Sequence, residues 1–216
     1  MKTFFKKYNH IWTVLYAFIY LPWFMWLEKT VVTDYTPIHI GLDDIIPFCE
    51  LFIIPYYLWF LYVAAGFVLL FLTSKSDYYK LCMFLFTGMT IFLIICTVYP
   101  NGQDLRMEIT RDNIFANLVK NLYKTDTNTN VFPSIHVFNS LGIMIALNKS
   151  TWLKKKSYGS VIQWSSTVLA ILIVLSTVFL KQHSCVDAIG GIIMAIILYY
   201  IVYIPNWKFL NKLDNV

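Results

Sequence analysis

Hydrophobic positions along this chain gather in long blocks without Asp, Glu, Lys or Arg: Ile11 to Leu27, Leu51 to Thr73, Leu81 to Val98, Ile135 to Leu147, Val161 to Leu180 and Ala188 to Ile204. A bilayer core of roughly 30 Å takes about 20 apolar helical residues, and an α-helix satisfies its own backbone there. The blocks therefore predict about six crossings, an all-α membrane bundle of transmembrane helices. They leave no comfortable room for a second domain, so residues 1–216 are expected to form one membrane domain. The fourth block is the shortest and contains Asn139, Ser140 and Gly142. It is expected to gain length from Val131 to Pro133 or from Asn148.

The polar segments between the blocks set an orientation. Lys2, Lys6 and Lys7 precede the first block, and Pro22, Trp23, Trp26 and Glu28 stand where a signal peptide would have small residues, so an uncleaved anchor is expected. Lys75 and Lys80 follow the second block, and Lys149, Lys154, Lys155 and Lys156 follow the fourth. Cationic loops stay cytoplasmic, which puts both termini inside. Composition agrees, with 58% hydrophobic and 13% charged residues and a mean hydropathy of +0.62. The net charge of +5 is accounted for by inner loops facing anionic lipid, at about 1 kcal/mol per cation, and does not ask for nucleic acid. Cys82 and Cys96 sit inside the third block, whereas Cys49 and Cys185 both fall on the outer side, where a bridge between them stays open. The abundance of Asn, Lys, Ile and Tyr suggests an AT-rich bacterial genome, hence a bacterial cytoplasmic membrane.

Ionisable residues at the ends of spans are costly unless used. Three segments stand out: Tyr99 to Arg106, Phe132-Pro133-Ser134-Ile135-His136, and Ser176 to Asp187. Counting crossings places all three on the outer side, where they can converge. His183 and Asp187, four apart, share a face if the last span begins near Gln182. A carboxylate there fixes the imidazole tautomer and leaves the other nitrogen to attack or to move a proton. His136 offers a second imidazole as general acid. Arg106 and Lys181 offer charge for a phosphate, and Ser134, near a helix start, adds a hydroxyl and free amides. Such a set carries out phosphoryl transfer with no metal and no cofactor.

This ordered trio, an Arg segment, Pro-Ser-x-His, then Ser-x6-His-x3-Asp, resembles the type-2 phosphatidic acid phosphatase superfamily of six-helix membrane enzymes. The resemblance runs over roughly residues 43–204 and implies that His183 is a nucleophile forming a phospho-histidine. It implies further that Asp187 orients that ring, that His136 protonates the leaving group, and that Arg106 and Ser134 bind phosphate. Departures are visible. Tyr99 and Met107 replace the family's Lys and Pro around the Arg, Ile135 replaces a Gly, and Thr177 replaces an Arg. Lys181, Gln103 or Arg111 are the candidates to make good the missing charge. The form Phe-Pro-Ser-Ile-His is closer to the inositol phosphorylceramide synthase branch.

The expected function is a lipid phosphate phosphatase acting on a phosphomonoester or diphosphate, with a lipid phosphotransferase as the alternative and a non-catalytic binder of anionic lipid as a third reading. Other readings of the same residues are a zinc set of His136, His183 and Asp187, a Ser134 nucleophile with His136 as base, and histidines that only hydrogen-bond across helices. Ile114, Phe115, Leu118, Val119 and Leu122 recur at helical spacing after Asp112 and Asn113, which predicts a short amphipathic helix, either a lid over the site or a connector. Trp23, Trp26, Tyr56, Tyr57 and Tyr199 fit interfacial belts. Asp43 and Asp44 read as marks of an outer loop. The lipid's identity and the oligomeric state are not written in these motifs.

Overall fold

The computed structural model describes residues 8–211 and 213, so Lys2, Lys6 and Lys7 lie outside the described residues. Its helices in chain order are α1 (Ala17–Thr30), continued backwards by a 3₁₀ helix over Asn9–Tyr16, then α2 (Gly41–Ile45), α3 (Ile53–Thr73), α4 (Lys75–Val98) and α5 (Ile114–Thr125). They are followed by α6 (Ile135–Lys149), α7 (Thr151–Lys154), α8 (Gly159–Phe179), α9 (Cys185–Val202) and α10 (Lys208–Asn211). Strands are confined, among the described residues, to β1 (Thr36–Pro37) paired in parallel with β2 (Asn101–Gly102). The chain is thus an all-α integral membrane bundle. The runs Asn9–Thr30, Glu50–Thr73, Lys75–Val98, Gly159–Phe179 and Cys185–Val202 are five helices long and apolar enough to cross a bilayer.

The fourth block is the one that departs from the expected count. α6 has 15 residues, roughly 22 Å of rise at about 1.5 Å per residue, and it ends before Ser150, which caps α7. Its surroundings explain why it can be short and polar. Phe138, Asn139, Ser140, Ile143 and Leu147 are buried, and α3, α4, α8 and α9 all pack on it, so protein rather than lipid surrounds it. Small residues permit that packing. A side chain at Gly191 of α9 would meet the Ser134 backbone oxygen at 2.7 Å, and a backbone atom cannot swing aside. With glycine there, the Ser134 N–H reaches the Asp187 carbonyl at 2.9 Å, which fixes the start of α6 against the first turn of α9.

Two helix starts differ from expectation for local reasons. α4 begins at Lys75, not at Leu81, because Ser74 caps it: the Ser74 Oγ accepts from the Asp77 N–H at 3.2 Å. The buried Asp77 carboxylate in turn accepts from the Thr151 N–H at 3.1 Å, so the expected cytoplasmic turn shrinks to one residue. α9 begins at Cys185 rather than near Gln182, since Ser184 is its N-cap and the Asp187 carboxylate accepts from the Ser184 N–H at 2.8 Å. This reciprocal cap is a strong stop signal for the helix. Cys49 and Cys185 are both free thiols.

Candidate active site

All three polar segments meet at one end of the bundle. His183 stands just before the N-cap of α9, buried to 7% exposure, with its Nδ1 at 3.5 Å from Oδ2 of the fully buried Asp187. The i, i+4 relation therefore survives although His183 is not helical, because the capping carboxylate folds back toward it. His136, in the first turn of α6, has its ring centroid 5.7 Å from that of His183 at an interplanar angle of 60°. From the other side it is held by α3, with the Tyr56 ring at 4.7 Å and the Trp59 ring at 4.3 Å. Tyr56 is thus buried packing for an imidazole, not part of an interfacial belt. Its hydroxyl donates to Asp126 at 3.1 Å.

The two imidazoles border a cavity of about 60 Å³, whose wall also includes Glu28, Thr127, Asn130, Gln182, Phe24 and Phe92. Glu28, at the end of α1, accepts from the Thr127 hydroxyl at 2.6 Å and from the Asn130 amide at 2.8 Å. No Lys or Arg is among the described residues that line the cavity. Buried polar atoms usually have partners. Here His136 Nδ1, His183 Nδ1, Asp187 Oδ1, Asn130 Oδ1 and Gln182 Nε2 have none, so the unpaired atoms gather at this point. No group of three His, Cys, Asp or Glu side chains is placed to hold a metal ion among the described residues; the zinc reading of His136, His183 and Asp187 has no support in this arrangement.

The residues expected to bind phosphate are arranged around this cavity differently. Arg106 lies directly behind its wall. Its guanidinium donates to the carbonyls of Tyr123 at 3.0 Å, Asp126 at 2.9 Å and Thr127 at 2.6 Å, and to the Gln182 Oε1 at 2.8 Å. It so closes the C-terminal end of α5, where a cation is favoured. Burial lowers its pKa, yet a guanidinium stays charged. Lys181 turns its ammonium away to the Asp43 carbonyl at 2.5 Å and the Ile46 carbonyl at 2.6 Å. The Ser134 Oγ accepts from the Val137 N–H at 3.4 Å as the cap of α6. Gln103 donates to the Lys181 and Gln182 carbonyls at 3.1 and 3.3 Å, and Arg111 pairs with Glu50 at 2.6 Å. The candidate replacements for the missing charge are thus all engaged in building the frame.

The amphipathic segment forms α5, with the Asn113 side chain accepting from the Ala116 N–H at 2.9 Å. Its buried Val119 and Leu122 pack with Ile53, Tyr56 and Leu180, and the Tyr123 hydroxyl donates to the Leu180 carbonyl at 2.8 Å. It is thus docked on the bundle behind the cavity, and none of its residues is among those that line it.

Sequence reasoning missed the residue that holds the His183 segment. Asp43, read as an outer-loop mark, is buried at 3% exposure. Its carboxylate accepts from the Ser184 hydroxyl at 2.6 Å, the Cys185 N–H at 2.7 Å and the Ile40 N–H at 2.9 Å. Burial by itself would raise its pKa, but these donors outweigh it and hold the carboxyl below the usual range. The only sequence signal was a pair of acids beside an apolar run. Asp43→Asn is expected to destabilise the protein by about 1.5–3 kcal/mol, read as a lower melting temperature in detergent. A depressed folded pKa means that the contribution is full above the unfolded carboxyl pKa and is lost as pH falls through the folded one. The gap between wild type and variant should therefore close in acid.

Fold and site together define an integral membrane protein that presents paired imidazoles and a buried carboxylate at one end of a helical bundle. The model of the PAP2 superfamily matches residues 111–210, which contain His136, His183 and Asp187. This match supports a member of the type-2 phosphatidic acid phosphatase superfamily, whose proteins are phosphatases and related phosphotransferases. No curated protein and no solved structure is matched by the chain.

Proposed function

We propose that the protein is a membrane lipid phosphatase that hydrolyses a phosphomonoester or diphosphate through a phospho-histidine at His183, without a metal. The observation that carries this reading is the approach of two imidazoles across one cavity, one from the first turn of α6 and the other from the turn before α9, the latter backed by Asp187. In the first step a lone pair of His183 Nε2 forms the P–N bond, the P–O bond to the lipid breaks, and His136 gives its proton to the leaving alkoxide. Asp187 stabilises the cationic ring. In the second step water, deprotonated by His136, attacks phosphorus and the P–N bond breaks. Arg106, one residue behind the wall, exchanges Gln182 for a phosphate oxygen.

The same reading places the site at the outer face and both termini in the cytoplasm, with α6 as a sixth crossing. Lys149, Lys154, Lys155 and Lys156 follow the far end of α6, and basic loops favour the cytoplasm. A helix enclosed by protein need not match the bilayer thickness on its own.

Purified protein with a phosphorylated lipid in EDTA tests the reaction. Release of inorganic phosphate is expected. Transfer of the phosphorylated group to an added lipid alcohol would replace hydrolysis with phosphotransfer, and binding without turnover would reduce the protein to a carrier of anionic lipid.

A further inference from the structure

Glu28 belongs to none of the three polar segments that form the site. It stands in the last turn of α1 and lines the cavity together with both imidazoles. Its carboxylate is held in place by the loop after α5. The Asn130 amide that donates to one oxygen at 2.8 Å belongs to a residue at φ 54°, whose own N–H is bonded to the Asn101 carbonyl at 2.7 Å. The Thr127 hydroxyl donates to the other oxygen at 2.6 Å. Both donors are neutral, and each carboxylate oxygen keeps a further lone pair. Glu28 is half-buried, and its bond to Thr127 lies on the exposed side, so the carboxylate is open to a ligand.

The charge around the cavity disfavours a phosphate dianion. Asp126 lines it with Glu28, and Asp187 stands beside His183. Arg106 is the cation that answers these three carboxyl groups, from one layer back, and the Lys181 ammonium is engaged by the Asp43 and Ile46 carbonyls. A carboxylate repels an ionised phosphate oxygen and has no hydrogen to offer it. From a P–OH, by contrast, it accepts a short, charge-assisted hydrogen bond. A phosphate monoester passes from one form to the other at a second pKa of about 6.

We propose that Glu28 is a specificity-determining residue, which accepts a hydrogen bond from the P–OH of a singly charged phosphate group and turns the dianion away. This rests on the lipid phosphatase reading for placing the phosphate in this cavity. The ligand class is a lipid phosphate or phosphonate in its hydrogen-bearing form. The other groups that face Glu28 are Asp126 after α5, His136 of α6 and His183 before α9, with Tyr20 of α1 and Cys96 of α4 within electrostatic reach. Arg106 and Asp187 stand behind them.

Two non-hydrolysable ligands separate the ligand's proton from those of the protein: hexadecylphosphonate and its α,α-difluoro analogue, whose fluorines lower the second pKa. Their Kd values are measured by calorimetry in detergent from acid to alkaline pH. In wild type the binding of each ligand is expected to weaken by roughly tenfold or more as it passes its own second pKa, so the fluorinated ligand loses affinity at lower pH. In Glu28→Gln both losses should largely disappear. The amide can keep both loop contacts, its oxygen accepting from Asn130 and its nitrogen donating to the Thr127 oxygen, and still has an N–H for an ionised phosphate oxygen. The melting temperature should therefore stay near that of wild type. A break at the same pH for both ligands would assign it to a protein group, and a loss that survives Glu28→Gln would place the selection elsewhere; either result overturns the proposal. Phosphate release from hexadecyl phosphate is followed in parallel. Ligand-specific breaks without any turnover would uphold the selection by Glu28 and remove the phosphatase reading. Absence of such breaks would remove the selection whatever the turnover.

Discussion

His183→Ala is expected to reduce phosphate release by on the order of 10⁴-fold or more, the scale seen when a covalent nucleophile is deleted. The loss follows from chemistry and not from packing. The His183 Nδ1 makes no hydrogen bond to the fold and its nearest polar neighbour is Asp187 at 3.5 Å. The segment around it is held instead through Ser184, Cys185 and the carbonyls of Lys181 and Gln182, none of which the substitution touches. The melting temperature should therefore stay close to wild type. A second readout is the intermediate itself. Brief incubation with a ³²P-labelled substrate and an alkaline quench should leave label on the wild-type chain and none on the variant. A variant that retains more than a few per cent of wild-type activity would assign the attack to another group.

His136→Gln is expected to cost roughly 10²–10⁴-fold on an alkyl phosphate, the usual contribution of a positioned acid, and far less on p-nitrophenyl phosphate. The difference comes from the leaving group. An alkoxide departs only with a proton, whereas p-nitrophenolate is stable without one. The neighbours of His136 fit the role proposed for it. Tyr56 and Trp59 lie against its ring at 4.7 and 4.3 Å, which sets its angle toward His183 and shields it from water. Gln keeps the approximate volume between those rings, so the comparison isolates the proton. Equal losses on both substrates would make His136 a packing residue.

Much of this was legible in the chain, and the gaps have physical causes. The long apolar blocks gave the helices because a membrane permits few other structures. The spacing of four from His183 to Asp187 gave the pair, even though the helix starts later than the spacing suggested: the carboxylate that caps Ser184 is the one that reaches back to the ring. Long-range partners were not legible. Nothing near Asp43 announces that Ser184 and Cys185, more than a hundred positions later, will donate to it. Arg106 was visible as a cation but not as the cap of α5, since its three carbonyl partners, Tyr123 in the last turn of α5 and Asp126 and Thr127 just after it, come to it only through folding. Tyr56 looked like an interface anchor because aromatic residues near span ends usually are, and its packing on His136 of α6 is what makes it an inward residue. The short fourth block was correctly the odd one, for a reason that burial supplies and composition does not.

That no fixed cation is among the described residues lining the cavity has a consequence for turnover on the proposed reading. A pocket rimmed by lysines and arginines grips a phosphate dianion before and after reaction alike, and its product leaves slowly. Here the permanent charge stands one layer back, at Arg106, and a carboxylate, Glu28, stands in front. On the proposed mechanism, grip is then borrowed from rings whose positive charge comes and goes with the reaction, at His136 with its proton and at His183 with the P–N bond, so the pocket would hold its guest tightly at the moment of bond exchange and loosely once that bond is broken.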